Sequence, residues 1–261
     1  MATFINISDF YKSNNLINHI FKVIITFLLI YFLTFGYTLL YYRLKSRVVY
    51  FKYNSFEVSG TYGNILDYIG ASKVNLIVPV NSCFDTKIDE SVISTNSLHG
   101  KVIKFLYDNN LVSQTVLDKK IKSSLKEQGI PSVNIGNDVK KGGKSVGNYN
   151  RYPIGSTAFV DIGNVRYHFI ALSIIENNKN AKTSDQDYLI VLNAIVDNCF
   201  RNSNGNPIYL PLIGSGLSKL NYNHQQQLEF MVKYFMLRKT KLTSDVEIVI
   251  RKEDGDTISI L

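Results

Sequence analysis

Hydrophobic and polar positions divide this chain into two unlike parts. Val23–Tyr42 holds no charged residue. A helix this apolar on every face, at ~1.5 Å per residue, spans the ~30 Å hydrocarbon core of a bilayer. Tyr37, Tyr41 and Tyr42 gather at its C-terminal end, where an aromatic belt belongs. Arg43, Lys45, Arg47 and Lys52 follow, whereas only Lys12 and Lys22 precede. The heavier positive flank predicts that everything beyond it stays in the cytoplasm. The run is too long for a signal-peptide core, and no small-residue cleavage site follows it.

After residue 47 the pattern becomes that of an α/β domain. Val48–Val58 alternates and predicts one strand. Gly60–Leu66 reads as a turn entering a short helix. Val74–Val80 is a buried strand, and Lys101–Asn109 and Asp118–Gln128 read as helices. Tyr152–Val160 and Val165–Ile174 form a hairpin turned at Asp161–Asn164. Asp187–Asn202 is an amphipathic helix with Leu189, Leu192, Ile195, Val196 and Cys199 on one face. Ile208–Leu220 opens as a buried strand and breaks at Gly214-Ser215-Gly216. Gln225–Arg238 is a helix, and Glu247–Ile250 is a last strand. The sum is a mixed sheet wrapped by helices on both sides, one domain from about Val48 to Leu261.

Composition narrows the chemistry. The chain has 261 residues and a formal charge of +8, a balance that suits nucleic acid, anionic lipid or a phosphorylated small molecule. Lys119, Lys120, Lys122, Lys126 and the Lys140–Lys144 cluster have no interleaved aromatics to stack on bases, so nucleic acid is not the expected partner. The Gly-rich Lys140–Lys144 loop reads as an exposed, solvated insertion. Two cysteines, Cys83 and Cys199, make no disulfide framework and no zinc spacing.

The candidate site rests on two turns. Strand, glycine turn and helix around Gly214 build an anion pocket, because glycines let the backbone approach a phosphate and the helix N-terminus adds positive potential. Ser97-Leu98-His99-Gly100 opens another helix, with Ser97 as N-cap or anion donor. Asn81 and Asp85 follow a buried strand, where open α/β sheets bind ligands, although both are also ordinary turn formers. His99 reads as a solvated residue at a helix start. His168, among Tyr167, Phe169 and Ile170, reads as a core histidine.

Val-Pro-Val-Asn-Ser, Tyr-Pro-Ile-Gly-Ser-Thr-Ala and Tyr-Leu-Pro-Leu-Ile-Gly-Ser-Gly-Leu, in this order, resemble a macro domain. A membrane helix before such a domain looks like the membrane-anchored effectors of type II Thoeris anti-phage systems. The resemblance implies a three-layer α/β/α fold with a mixed central sheet behind one N-terminal transmembrane helix. It divides the chain into a tail (1–22), the membrane helix (23–42), a basic juxtamembrane segment with the first strand (43–57) and the macro domain (58–261). It implies an ADP-ribose-derived ligand, no cofactor, no metal and no catalytic residue. Asn64, with Asp67 as a substitute, matches the family's adenine-binding acid, and Asn81 its distal-ribose segment. Ser97, Leu98, His99 and Gly100 fall at the first diphosphate loop, and Gly214, Ser215, Gly216 and Leu217 at the second. Tyr222 lies where an aromatic covers the ligand. The first loop lacks the family's triple glycine, which favours a binder over a hydrolase. The implied partners are a TIR-domain protein that consumes NAD and sends a diffusible signal, membrane lipid and further copies of the chain. The implied place is the inner membrane, and the implied outcome is abortive infection through oligomerisation and membrane disruption. The alternative is a membrane-tethered ADP-ribosyl hydrolase, with His99, Asp85 or Cys83 as candidates for chemistry.

Overall fold

The computed structural model describes residues 16–70, 73–90, 92–136, 146–175, 183–214 and 223–260, with side chains from residue 19 onward and none for 42–44. The chain divides into two units, one ending at Ser46 and one starting at Arg47.

Among the described residues the first unit holds one helix, Leu16–Leu44 (α1). It begins before the uncharged run. His19–Tyr41 is long and apolar enough to cross a membrane, and its side chains face outward, with Phe27 69% and Leu33 65% exposed. The hydroxyls of Thr26, Thr34 and Thr38 donate to the carbonyls of Lys22, Ile30 and Thr34, which hides their polarity against the backbone.

The second unit is built on a seven-stranded sheet. Its strands are Arg47–Tyr53 (β1), Phe56–Tyr62 (β2), Val74–Asn81 (β3), Thr157–Ile162 (β6), Val165–Ser173 (β7), Ile208–Pro211 (β8) and Val246–Ile250 (β9). A separate short pair, Val133–Asn134 (β4) and Asn150–Arg151 (β5), stands outside it. The sheet order is β1-β2-β9-β8-β3-β7-β6. β2, β9, β8, β3 and β7 run parallel, and antiparallel β1 and β6 close the two edges.

The single strand expected over Val48–Val58 is two strands. Asn54 takes a left-handed conformation (φ 53°), and the chain doubles back there. Asn-Ser is a turn signal that the surrounding alternation masked. A bulge at Tyr50 lays its ring over Gly60, where an added Cβ would meet the phenol oxygen at 2.3 Å.

Period-two alternation sends side chains to two cores. Leu76, Val78 and Val80 of β3 face helices Leu98–Asp108 (α2) and Gln114–Glu127 (α3). Ile77 faces the opposite layer, Asp185–Ala194 (α4) and His224–Leu237 (α5). α4 continues as one π-helical turn, Ile195–Phe200. The buried stripe there is Tyr188, Val191, Leu192, Ile195 and Cys199. Leu189, expected on that face, is exposed, about 100° from the stripe. Both cysteines are buried, and desolvation raises the Cys199 thiol far above its ordinary pKa.

Candidate functional site

Helix α2 and the carboxyl ends of the five parallel strands enclose a cavity of about 420 Å³. Gly63 and Asn64 follow β2, Asn81 ends β3, Ser173 ends β7, Pro211 ends β8, Val249 lies near the end of β9 and Arg251 follows it. Loops diverge at this end of an open sheet and leave room for a ligand.

Each wall follows from local chemistry. Ser97 caps α2: its Oγ accepts the Gly100 N–H at 3.0 Å and donates to the Ser94 carbonyl at 2.7 Å. Ser97 thus fills the N-cap role expected of it, with its proton directed to Ser94. The Ser97 carbonyl accepts the Lys101 N–H. The amides of Leu98 and His99 are left as orphan donors of the first turn, and both residues line the cavity. Gly100 serves packing. A Cβ there would lie 2.1 Å from the Ser94 carbonyl oxygen, so only glycine lets the helix start press against the loop before it. Gly100 does not line the cavity. Gly214 does, with φ 85°.

Asn64 Oδ1 accepts the Leu66 N–H at 3.1 Å, and its carbonyl accepts the Asp67 N–H at 3.0 Å, which starts the 3₁₀ turn Ile65–Gly70. Asp67 lies within that turn, away from the cavity. Asn81 is 5% exposed; its Oδ1 accepts the Cys83 N–H at 3.0 Å, and its Nδ2 is buried without a hydrogen-bond partner. A buried amide donor left unpaired is costly, and Asn81 is one of the residues that line the cavity.

His99 is not solvated. It is buried, and desolvation pushes its pKa down to about 3 against the opposing effect of a hydrogen bond to the Asp85 backbone. The imidazole is neutral at physiological pH. That burial is a tertiary effect, which helix position alone does not reveal. Asp85 accepts the Asn148 N–H at 2.5 Å, so it pins a neighbouring loop.

Sequence reasoning missed the C-terminal wall. Arg251 Nε and Nη2 donate to Asp254 Oδ2 and Oδ1 at 2.8 and 3.0 Å, and both residues line the cavity together with Lys101 and Ser94. Tyr62 Oη donates to the Ile258 carbonyl at 2.5 Å and straps this segment to β2. Six of the expected site residues therefore share one cavity: Asn64, Asn81, Ser97, Leu98, His99 and Gly214. Ser215, Gly216, Leu217, Tyr222 and the Lys140–Lys144 loop lie outside the described residues. Among the described residues no cluster of three or more His, Cys, Asp or Glu is arranged to hold a metal.

A sequence profile described as "Thoeris protein ThsA, Macro domain" matches residues 58–251. This chain belongs to the ThsA macro-domain family. Thoeris protein ThsA of Bacillus amyloliquefaciens (strain Y2) is 25% identical over 188 residues, which are 70% of this chain and 59% of that protein. The chain thus matches less than two thirds of its relative's length. The solved macrodomain of Oceanobacillus iheyensis is similar at greater distance. A mutant form is 11% identical with a TM-score of 0.48, covering 81% of this chain and 89% of its own. The form with ADP is 11% identical with a TM-score of 0.42, covering 81% and 92%. In this ThsA macro domain the profile match begins at Val58, inside β2, and takes in every strand from β3 to β9.

Proposed function

We propose that the cavity of this macro domain receives an ADP-ribose derivative and that the chain is a membrane-anchored anti-phage effector. The observation that carries the reading is the buried, unpartnered Asn81 amide in a cavity also lined by the α2 N-terminus and Gly214. A diphosphate fits between those turns because free amides and the helix dipole favour anions there. Asn64 keeps a second lone pair for an adenine amino group. Lys101 adds positive charge at the cavity, where Arg251 is paired with Asp254. The signal is made from NAD by a TIR-domain protein. α1 sits in the inner membrane with the globular unit cytoplasmic, and ligand binding drives oligomerisation and membrane disruption, which ends the infection by killing the cell. Binding acts only through a difference in affinity between two arrangements of the chain.

The hydrolase reading is the weaker one. His99 is buried and held neutral by desolvation, against the opposing Asp85 backbone contact, and among the described residues no carboxylate pairs with it to tune it as a general base.

Calorimetry on the full chain in lipid nanodiscs tests binding. ADP-ribose or a conjugate of it should bind, and Asn81→Ala should weaken it about tenfold, the equivalent of one hydrogen bond. Silence with every conjugate up to millimolar concentration, at full occupancy of folded protein, would reject the reading. Dye release from liposomes carrying the chain, on adding the products of a TIR protein fed with NAD, tests the later steps.

A further inference from the structure

Arg47 opens β1 and is the first residue of the globular unit. Its guanidinium reaches across two strands. Nε donates to Glu247 Oε2 on β9 at 2.8 Å, and Nη2 donates to Glu57 Oε1 at 2.5 Å and Ser59 Oγ at 2.9 Å on β2. The other oxygen of Glu247, Oε1, accepts from Tyr68 Oη at 3.1 Å. The Tyr68 ring stacks on Tyr209 of β8, with 3.8 Å between centroids.

Tyr68 belongs to the Ile65–Gly70 turn, and the head of that turn, Gly63-Asn64-Ile65, is a wall of the cavity. One cluster therefore ties the cavity wall to the strand that receives the chain from α1. The fork geometry of arginine makes the tie directional, because Arg47 satisfies two carboxylates on different strands at once. Glu57 also holds Lys52 at 3.2 Å, so it has a second cation, whereas Glu247 has Arg47 as its cation and is otherwise held by the Tyr68 and Ser59 hydroxyls. Glu247 is thus the joint at which the two halves meet.

We infer that Arg47, Glu247 and Tyr68 form a latch that couples the cavity wall to β1. As a signalling device it rests on the ligand reading above, since only an occupied cavity gives the wall something to report. A ligand contact at Asn64 that shifts the 3₁₀ turn moves Tyr68, changes the bonding of Glu247 and alters the hold on Arg47. By reciprocity, loosening Arg47 alters affinity in the cavity by the same factor.

Hydrogen–deuterium exchange on the full chain in nanodiscs tests the latch without any ligand. In Arg47→Met, the Leu66 and Asp67 amides, which bond to Asn64, should exchange about fivefold faster or more, while α4 and α5 amides keep their wild-type rates. Tyr68→Phe keeps the ring on Tyr209 and removes only the hydroxyl. It should speed exchange at the β1 amides that pair with β2. If Arg47→Met changes exchange only in β1 and β2, or Tyr68→Phe only in its own turn, no latch exists. A second arm adds ADP-ribose as probe. In wild type, slower exchange at residues 63–66 should extend to β1; in Tyr68→Phe it should stop at the cavity wall. Extension to β1 in both proteins would overturn the latch. Absence of any change at residues 63–66 in wild type would instead reject ADP-ribose as ligand, and the ligand-free arm would still judge the latch.

Discussion

Two buried asparagines stand at opposite ends of the same strand, and they are partnered differently. Asn75, at the amino end of β3, has its Nδ2 donating to the carbonyls of Ser203 and Asn206 at 2.9 and 3.0 Å, and its Oδ1 against His168 Nε2 at 2.9 Å. It lines a groove of about 460 Å³, as roomy as the cavity at the other end. Asn81, at the carboxyl end, keeps its Nδ2 unpartnered. Volume does not distinguish the two depressions, but hydrogen-bond accounting does. At one end the amide ties a loop to the sheet; at the other its donor is unpaired in a residue that lines the cavity. A satisfied buried amide is structural, and the unpaired one is the amide to which the proposed function gives a ligand contact.

The largest expected effect follows from the two histidines, one at each end. Burial pushes both His168 and His99 down to about 3, with the Arg166 charge adding to the effect at His168. The unfolded chain protonates near 6.5 and the folded one does not, so stability is complete above pH 6.5 and falls as pH drops toward 3. The slope is about 1.4 kcal/mol per pH unit for each histidine. Denaturant titrations at pH 7, 5.5 and 4.5 should show it, and His168→Gln or His99→Gln should each halve the slope. A flat profile would mean that neither ring is buried neutral.

Asn75→Ala comes next. It strips partners from two carbonyls and from His168, and should cost about 3 kcal/mol of stability, read as a shift in denaturation midpoint at constant slope. Gly100→Ala pushes a methyl into the Ser94 carbonyl and should cost about 1–3 kcal/mol, with weaker ligand binding as the α2 start moves. Asn81→Ala should be milder than Asn75→Ala, about 1–2 kcal/mol, because it strips a partner from one backbone group, the Cys83 N–H, while its own amide donor is already unpaired. If Asn81→Ala unfolds the protein as readily as Asn75→Ala, the contrast between the two ends fails.

Much of this was legible along the chain. Val23–Tyr42 declared its helix through the absence of charge, and β3, β8 and β9 declared themselves as short apolar runs. Three-layer packing and the Gly214 turn followed from element order. What was hidden depends on contacts distant in sequence. The β1–β2 turn at Asn54 interrupts an alternation that continues on both sides. The burial of His99 is a tertiary effect that brings the Asp85 backbone against its ring. Arg251 and Asp254 become cavity residues only because Tyr62, on a strand nearly 200 positions earlier, straps their segment in place. Gly100 looked like the remnant of a phosphate loop, and its small size instead serves the contact with Ser94.

The concealment of both native thiols has a practical consequence. Cys83 and Cys199 are shielded from solvent, so maleimide dyes should leave the folded chain unlabelled. Asn96 is exposed on the cavity lip. A fluorophore attached through Asn96→Cys would therefore be a single reporter at the mouth of the site, with no need to remove either natural cysteine.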